Sequence, residues 1–221
     1  MVEKMSDSLD EKAGEIASAA AECFKQSGRR RILVAIAGAP GSGKSTLAER
    51  AVDLLQTAHG LRSGLFPMDG YHYDDTVLHE MGRGAFKGAI DTFDANGLRH
   101  MLARLSANED DFIAIPVFDR SIEIARAGAR LIPQSHEVIV CEGNYLLARQ
   151  APWDQLKPIF DLTIFVDVDV ETLRHRLQQR WRGFGLDPQE IARKVEENDL
   201  PNGMFIISNS AEPDLRVKND T

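Results

Sequence analysis

A glycine-rich loop that ends in a lysine and two hydroxyl side chains is the sequence feature with the clearest chemistry. The run is Gly38-Ala39-Pro40-Gly41-Ser42-Gly43-Lys44-Ser45-Thr46. It matches the pattern GxxxxGK[ST], in which glycines let the backbone curl around phosphates and N–H groups face them. Lys44 is predicted to reach the β- and γ-phosphates of a nucleotide, and the hydroxyl of Ser45 to bind Mg²⁺. We therefore predict a site for a Mg²⁺-bound nucleotide.

Two acidic residues follow predicted strands and could complete this site. Asp69 comes after the apolar residues 64–68, and Glu142 after residues 138–141. Ligands of parallel sheets gather at the C-terminal ends of the strands. Either carboxylate could join Ser45 as a metal contact or accept the proton of an attacking hydroxyl. We favour Asp69 as the base and Glu142 as a metal or substrate contact. The reverse assignment stays open, as does a solvated acid in either place.

Two arginines are candidates for stabilising the charge of a transferred phosphoryl group. Arg176 and Arg180 lie four residues apart on a predicted helix and share one face. Phosphoryl transfer needs cationic donors beyond Lys44, although a solvated basic face is the simple alternative. Arg182 then leads into a glycine-containing stretch, residues 183–185, that is suited to a closing lid.

A histidine follows the proposed base in the sequence. His72 is close enough to Asp69 along the chain to orient a substrate hydroxyl, but a structural role is equally compatible with a lone histidine. The remaining histidines share no ligand spacing, so we expect no metal site built only from protein ligands.

Buried strands that alternate with helices must position these residues. Residues 32–37 are apolar throughout, which is typical of a strand covered on both faces. Residues 64–68, 138–141 and 162–168 have the same character, and residues 112–116 are a weaker fifth candidate. Helical patterns lie between them. This alternation predicts an α/β doubly wound domain.

We predict one domain over residues 1–221, with an N-terminal helix within residues 1–28 and a lid-containing region at 170–200. The spacing of Ser8 and Glu11 predicts a capping box at the start of the first helix. The last residues, 217–221, are predicted to be frayed.

Composition narrows the class of protein and its partners. The 221 residues are 43% hydrophobic, enough for one core, and their net charge of -8 argues against nucleic acid or anionic lipid as partner. Cys23 and Cys141 have no ligand or redox spacing and are read as core residues. No signal peptide or membrane-spanning run is recognised. A cytoplasmic location is therefore the default expectation, and a homodimer is compatible with the sequence.

Six motifs occur together in the order of a known family. They are the glycine-rich loop, Pro67-Met68-Asp69-Gly70-Tyr71-His72, Lys87-Gly88-Ala89-Ile90-Asp91-Thr92-Phe93-Asp94, Pro116-Val117-Phe118-Asp119-Arg120, Cys141-Glu142-Gly143-Asn144-Tyr145-Leu146-Leu147 and Glu197-Asn198-Asp199-Leu200-Pro201-Asn202. Between about Arg31 and Asp214 the chain resembles the uridine kinase, phosphoribulokinase and pantothenate kinase superfamily of P-loop kinases. It is more closely similar to the bacterial subgroup labelled fructose transport system kinases.

The resemblance implies a P-loop NTPase fold, three layers α/β/α with a parallel sheet of about five strands and a short helical lid. It also implies ATP as donor together with Mg²⁺. It supports Asp69 as the catalytic acid-base residue and makes Arg176 and Arg180 the lid arginines, while residues 208–212 resemble the turn that borders the adenine. The predicted contacts of the acceptor are Tyr71, His72, Asp94, Arg120 and Glu142.

The implied activity is transfer of the γ-phosphoryl group of ATP to a hydroxyl of a small metabolite, with a sugar such as fructose as the leading acceptor. Uridine kinases use an acid, a Tyr and a His around the nucleoside, where this chain has Gly88, Phe118 and Glu123. That difference weakens a nucleoside acceptor, whereas a sugar phosphate, a pantothenate-like alcohol or another polyol fits. A nucleotide-dependent regulatory ATPase is the alternative of another class, although no guanine-reading NKxD sequence is present.

Overall fold

The structure is a computed structural model that describes the backbone of residues 2–220 and the side chains of residues 8–220. The helices are α1 (Val2–Ser27), α2 (Lys44–Thr57), α3 (Asp75–Glu80), α4 (Ala95–Ala107), α5 (Val170–Gly183), α6 (Pro188–Lys194) and α7 (Leu200–Asn209). The strands are β1 (Ile32–Gly38), β2 (Ser63–Pro67), β3 (Phe112–Asp119), β4 (Ile124–Pro133), β5 (Val138–Gly143), β6 (Leu162–Asp167) and β7 (Leu215–Lys218).

A five-stranded parallel sheet in the order β2-β5-β1-β6-β7 forms the middle layer, which confirms the predicted α/β fold. All seven residues of β1 are buried, because helices cover both faces of the sheet. Ile32, Val34 and Ile36 pack in a core with α1, α2 and α5. The intervening Leu33 and Ala35 pack in a second core with α4 and α7. The site therefore lies on a rigid, doubly covered sheet.

The fifth strand of the sheet comes from the end of the chain. β7 pairs in parallel with β6, with Val217 opposite Val166, so the prediction of a frayed tail is wrong. Val217 is 2% exposed and fills the edge of the core. Only one of the four residues of β7 is buried. The segment therefore lacks the apolar pattern by which a strand is recognised in a sequence.

The segment predicted as the weak fifth strand lies outside this sheet. Residues 112–116 begin β3, which pairs with β4 in a separate antiparallel hairpin. The register shifts between Ile115 and Val117, around Pro116, because proline cannot donate a ladder hydrogen bond.

The N-terminal helix fills most of the predicted residues 1–28, but the predicted capping box at its start is wrong. It begins at Val2 instead of Ser8, since the residues before Ser8 contain no glycine or proline to stop it. It ends before Gly28, whose φ of 63° is the left-handed conformation that terminates helices. Cys141 is buried and Cys23 partly buried, and both are free thiols. Within the described part of the chain, no helix has the length and apolar character needed to cross a membrane.

The predicted lid-containing region, residues 170–200, is helical over most of its length. α5 and α6 are followed by a π-helical turn over Val195–Asp199, which continues directly into α7. Such turns are rare and occur often at functional sites. This region forms one wall of the cavity described next.

Candidate active site

A cavity of about 350 Å³ opens at the C-terminal ends of the parallel strands. It brings together six of the predicted site residues: Pro40, Lys44, Asp69, His72, Arg120 and Arg180. Cationic, anionic and aromatic side chains all contribute to its walls. This mixture suits a polar ligand and is unlike an ordinary apolar pocket.

The glycine-rich loop joins β1 to α2 as predicted, with β1 ending at Gly38 and α2 beginning at Lys44. A Cβ atom on Gly38 would lie 2.8 Å from Ser42 Oγ and 2.9 Å from the carbonyl oxygen of Val166. Gly43 has a φ of 83°, where other residues are strained. The loop thus keeps its shape only with glycine, and it places the N-terminus of α2 where phosphates bind.

Lys44 lines the cavity without a hydrogen bond or ion pair to any side chain that the structure describes. Burial lowers its pKa, although the nearby carboxylates of Glu142 and Asp69 oppose this shift. A partly desolvated ammonium without a partner is suited to bind an anion such as a phosphate.

Ser45 and Glu142 form the oxygen-rich end of the loop. The Ser45 hydroxyl donates to Glu142 Oε2 at 3.0 Å. Glu142 is 6% exposed, and burial raises its pKa, with Asp69 adding to the effect and Lys44 opposing it. A hydroxyl beside a carboxylate fits Mg²⁺, which is held by few protein oxygens together with water and phosphates.

Asp69 lies just after β2 and accepts a 2.7 Å hydrogen bond from Arg120 Nη2. Burial alone would raise its pKa, but the opposing influence of His72, Arg120 and other cations lowers it below the usual value. Asp69 is therefore ionised at neutral pH and able to accept a proton.

His72 is held between two aromatic rings beside Asp69. Its ring centroid lies 3.9 Å from that of Phe93 and 4.8 Å from that of Phe118. Its Nδ1 lies 2.8 Å from the backbone oxygen of Asp69, an acceptor, so Nδ1 carries the proton. Burial lowers the pKa of His72, which leaves Nε2 as an acceptor at neutral pH.

The wall formed by residues 170–200 presents cations on an indole ring. The Arg180 guanidinium lies 5.5 Å and the Lys194 ammonium 4.5 Å from the centroid of Trp181. Trp181 in turn donates from Nε1 to Asp199 Oδ2 at 2.6 Å, which fixes the ring. Burial, aided by the charge of Arg120, lowers the pKa of Arg180.

Glu142, Ser45 and most of the other residues of the glycine-rich loop do not line this cavity, and neither do three further predicted site residues. Arg176 donates to the backbone oxygens of Gly41, Ser42 and Asn219 and so supports the phosphate loop from behind. Asp94 caps α4 by accepting from the N–H of Gly97. Tyr71 turns into the core beside Phe66, with its hydroxyl buried.

Other cavity residues were not assigned by sequence reasoning. They are chiefly Lys87, Asn144, Trp181, Lys194, Asn198, Asp199 and Asn202. Several of them lie in the motifs on which the family resemblance is based. Those motifs could therefore have identified them from the sequence. Asn144 Oδ1 is buried and without a hydrogen-bond partner among the described residues, which makes it available to a donor on a ligand.

The sequence profile described as "Phosphoribulokinase / Uridine kinase family" matches residues 33–202. The chain belongs to this family. It is therefore a P-loop kinase, a phosphotransferase with an alcohol group as acceptor, and membership implies ATP as the donor.

Individual relatives agree with this assignment. A "Putative uridine kinase C227.14" of Schizosaccharomyces pombe is 30% identical over 215 residues, covering 91% of this chain and 88% of the relative. The "Uncharacterized protein YggC" of Escherichia coli is 30% identical over 191 residues, covering 86% and 78%. The crystal structure of a "putative fructose transport system kinase" from Silicibacter sp. TM1040 superimposes with a TM-score of 0.84 at 35% identity, covering 91% of this chain and 98% of that one.

Proposed function

We propose that this kinase transfers the γ-phosphoryl group of Mg²⁺-bound ATP to a hydroxyl of a small polyhydroxylated metabolite, with a sugar such as fructose as the first candidate. The observation that carries the proposal is the single cavity shared by Lys44 of the phosphate loop and the Arg120-paired Asp69. One binds the donor, and the other is suited to accept a proton from the acceptor.

Each side chain has a task that follows from its position. When bound, Mg²⁺ and ATP supply the transferable phosphoryl group and a charge that offsets the phosphate oxygens. Ser45 and Glu142 hold the metal, and Lys44 binds the phosphates. Arg120 holds the Asp69 carboxylate in place, and Arg180 donates to the phosphoryl oxygens.

In the transfer step, one P–O bond forms and another breaks. The acceptor hydroxyl oxygen forms a bond to the γ-phosphorus while the bond from this phosphorus to the β–γ bridging oxygen breaks. ADP leaves, and the hydroxyl proton passes to Asp69. His72, which lies against Asp69, accepts from a second hydroxyl of the acceptor through Nε2 and so orients the molecule.

The cavity walls support a sugar-like acceptor over a nucleoside. Gly88, Phe118 and Glu123, where the chain departs from the uridine kinase pattern, all line the cavity. Amide and charged side chains beside aromatic rings are the usual surroundings of hydroxyl-rich ligands. The fructose label of the Silicibacter protein makes fructose the first compound to test. A cytoplasmic location and a homodimer stay predictions of the sequence.

The test is ADP release from Mg²⁺-bound ATP in the presence of fructose, other sugars, sugar phosphates, uridine, cytidine and pantothenate. Asp69→Asn should lower kcat for the preferred acceptor by about 100- to 10,000-fold, the usual contribution of a general base, with little change in the KM for ATP. Lys44→Ala should abolish transfer while the chain stays folded.

Asp110→Asn is the matched control, because Asp110 also pairs with an arginine, Arg104, but lies outside the cavity. Normal turnover in Lys44→Ala or Asp69→Asn would refute the corresponding role. ATP binding without stimulation by any acceptor would favour a regulatory ATPase.

A further inference from the structure

A second hollow of about 240 Å³ opens beside the cavity, on the side away from the phosphate loop. It shares Lys87, Lys194 and Asn198 with the main cavity but contains no residue of the loop 38–46. A ligand group placed there is therefore continuous with the acceptor and separate from the phosphates of ATP.

This hollow contains three cations, two of which have no ion pair among the described residues. Lys87 is paired with Asp75, whose Oδ1 lies 2.6 Å from its Nζ. Arg193 and Lys194 form no ion pair or hydrogen bond with the side chains that the structure describes. Arg193 is exposed and so is screened by solvent, whereas Lys194 is partly buried. The charge of Lys194 acts on Asp199, but the Asp199 carboxylate accepts its hydrogen bond from Trp181 and forms no ion pair with Lys194.

Lys194 is held in place by an aromatic ring instead of a carboxylate. Its ammonium lies 4.5 Å from the centroid of Trp181, whose orientation is fixed by the hydrogen bond to Asp199. A ring positions a cation without cancelling its charge, so the charge remains available to a ligand. The acid that lines the hollow, Glu197, is exposed, so solvent screens it more than it screens the half-buried Lys194.

We propose that this hollow, lined by Lys87, Arg193 and Lys194, binds an anionic group of the acceptor, either a phosphate monoester or a carboxylate. The inference rests on the proposed function, since it takes the hydroxyl end of the same molecule to lie at Asp69. It narrows the acceptor to a phosphorylated or acidic sugar-like compound. Neutral fructose would leave the partly buried Lys194 without an ion-pair partner next to the bound substrate.

The first experiment measures binding, which does not depend on turnover. The full chain is saturated with Mg²⁺ and a non-hydrolysable ATP analogue and titrated by calorimetry with fructose 6-phosphate, gluconate and fructose. At least one of the two anions should bind about 10- to 100-fold more tightly than fructose, the usual effect of hydrogen bonds to charged groups. The stronger of the two identifies the group as phosphate or carboxylate.

Lys194→Gln should remove this preference, because it loses the charge while keeping a polar side chain only one atom shorter. Lys194→Arg should retain it. Arg182→Gln is the matched control, since Arg182 is an exposed cation of the same region that lines neither hollow. Equal binding of the three compounds, no binding of any of them, or an unchanged preference in Lys194→Gln would overturn the proposal.

The same compounds are then compared as phosphoryl acceptors, which separates the two hypotheses. Transfer to fructose with no preference for an anion would overturn the anionic subsite and leave the kinase assignment intact. Charge-dependent binding without ADP release from any acceptor would support the subsite and count against the proposed reaction.

Discussion

The side-chain amide of Asn219, near the end of the chain, donates a 2.8 Å hydrogen bond to the backbone oxygen of Ser42 in the phosphate loop. Asn219 is 7% exposed, and its own side-chain and backbone oxygens accept from Lys12 and Arg176. The residue directly after strand β7 thus links the phosphate loop to α1 and α5. The position of this loop depends on segments at both ends of the chain.

Asn219→Ala should weaken ATP binding by about 10-fold, because it removes the short hydrogen bond to the Ser42 backbone oxygen and leaves only the 3.4 Å contact from Arg176. The KM for ATP should rise while kcat changes little, since Asn219 does not reach the cavity. Calorimetric titration with the non-hydrolysable analogue measures the affinity. Asn209→Ala is the control, because Asn209 also donates to a backbone oxygen but lies at the exposed end of α7. Equal ATP affinity in the two variants would contradict the role.

Gly43→Ala should abolish tight ATP binding, with a loss of about 100-fold from a displaced loop. A Cβ atom on Gly43 would lie 2.6 Å from Asn219 Nδ2, in addition to the strain of the positive φ. Gly185→Ala has the same kind of strain, with a φ of 77°, but no atom within 4 Å of the added Cβ. It should bind ATP normally, which separates the collision from the strain.

A double variant tests whether the collision acts through Asn219. Adding Asn219→Ala to Gly43→Ala should not weaken ATP binding further. The double variant lacks the Asn219 amide with which the new Cβ collides, so the two effects are not additive. An additional loss equal to that of Asn219→Ala alone would contradict this mechanism.

Arg120→Ala should move the acid limb of the pH profile of kcat/KM to higher pH. Burial tends to raise the pKa of Asp69, and the cations around it, His72 and Arg120 first, hold that pKa below its usual value. Loss of the Arg120 charge raises the pKa of Asp69. Because a base acts in its ionised form, above its pKa, kcat/KM should then begin to fall at a higher pH as the solution is acidified.

Arg126→Ala is the control for this profile. Arg126 pairs with Asp119 on the same hairpin but does not line the cavity. Its pH profile should match that of the unchanged chain. An unshifted acid limb in Arg120→Ala would show that Asp69 is not the group that titrates.

Glu142→Gln should raise the Mg²⁺ concentration needed for half-maximal activity by about 10-fold, the usual effect of altering groups around a metal. The amide can still accept from Ser45 but has lost the negative charge. Activity is titrated against Mg²⁺ at saturating ATP. Glu137→Gln, at the partly buried residue just before the same strand, should leave the requirement unchanged.

The raised pKa of Glu142 also predicts that the stability of the metal-free chain depends on pH. Burial raises the pKa of Glu142 in the folded state. Such a carboxyl stabilises the fold below its unfolded pKa, and that contribution is lost as the pH rises through the raised, folded value. Thermal unfolding should therefore show that the unchanged chain loses stability relative to Glu142→Gln between mildly acidic and neutral pH. Parallel curves for the two proteins would contradict the raised pKa.

The sequence by itself determined the features that depend on residues close together in the chain. The glycine-rich loop, the buried run of β1 before it and the acids Asp69 and Glu142 at strand ends were all readable from pattern. Parallel strands end at one edge of a sheet, so residues far apart in sequence could be placed together without a structure. The phosphate-binding end of the site, and the metal contacts proposed for Ser45 and Glu142, follow from this rule.

The tertiary structure decided which side chains reach the cavity. Arg176 and Arg180 share a helix face, but they are one turn apart, a rise of about 6 Å. That difference puts Arg176 against the backbone of the phosphate loop and Arg180 in the cavity. Spacing along a helix fixes which face a residue occupies, whereas the segment that packs opposite that face comes from elsewhere in the chain.

The same reason explains the last strand and the second hollow. β7 is defined by its pairing with β6, and only Val217 among its residues is buried. The place of Lys194 is defined by its contact with Trp181 on another helix. Sequence determined the phosphate chemistry of this protein because that chemistry depends on one continuous loop. The acceptor side is assembled from separate segments, so only their packing decided it.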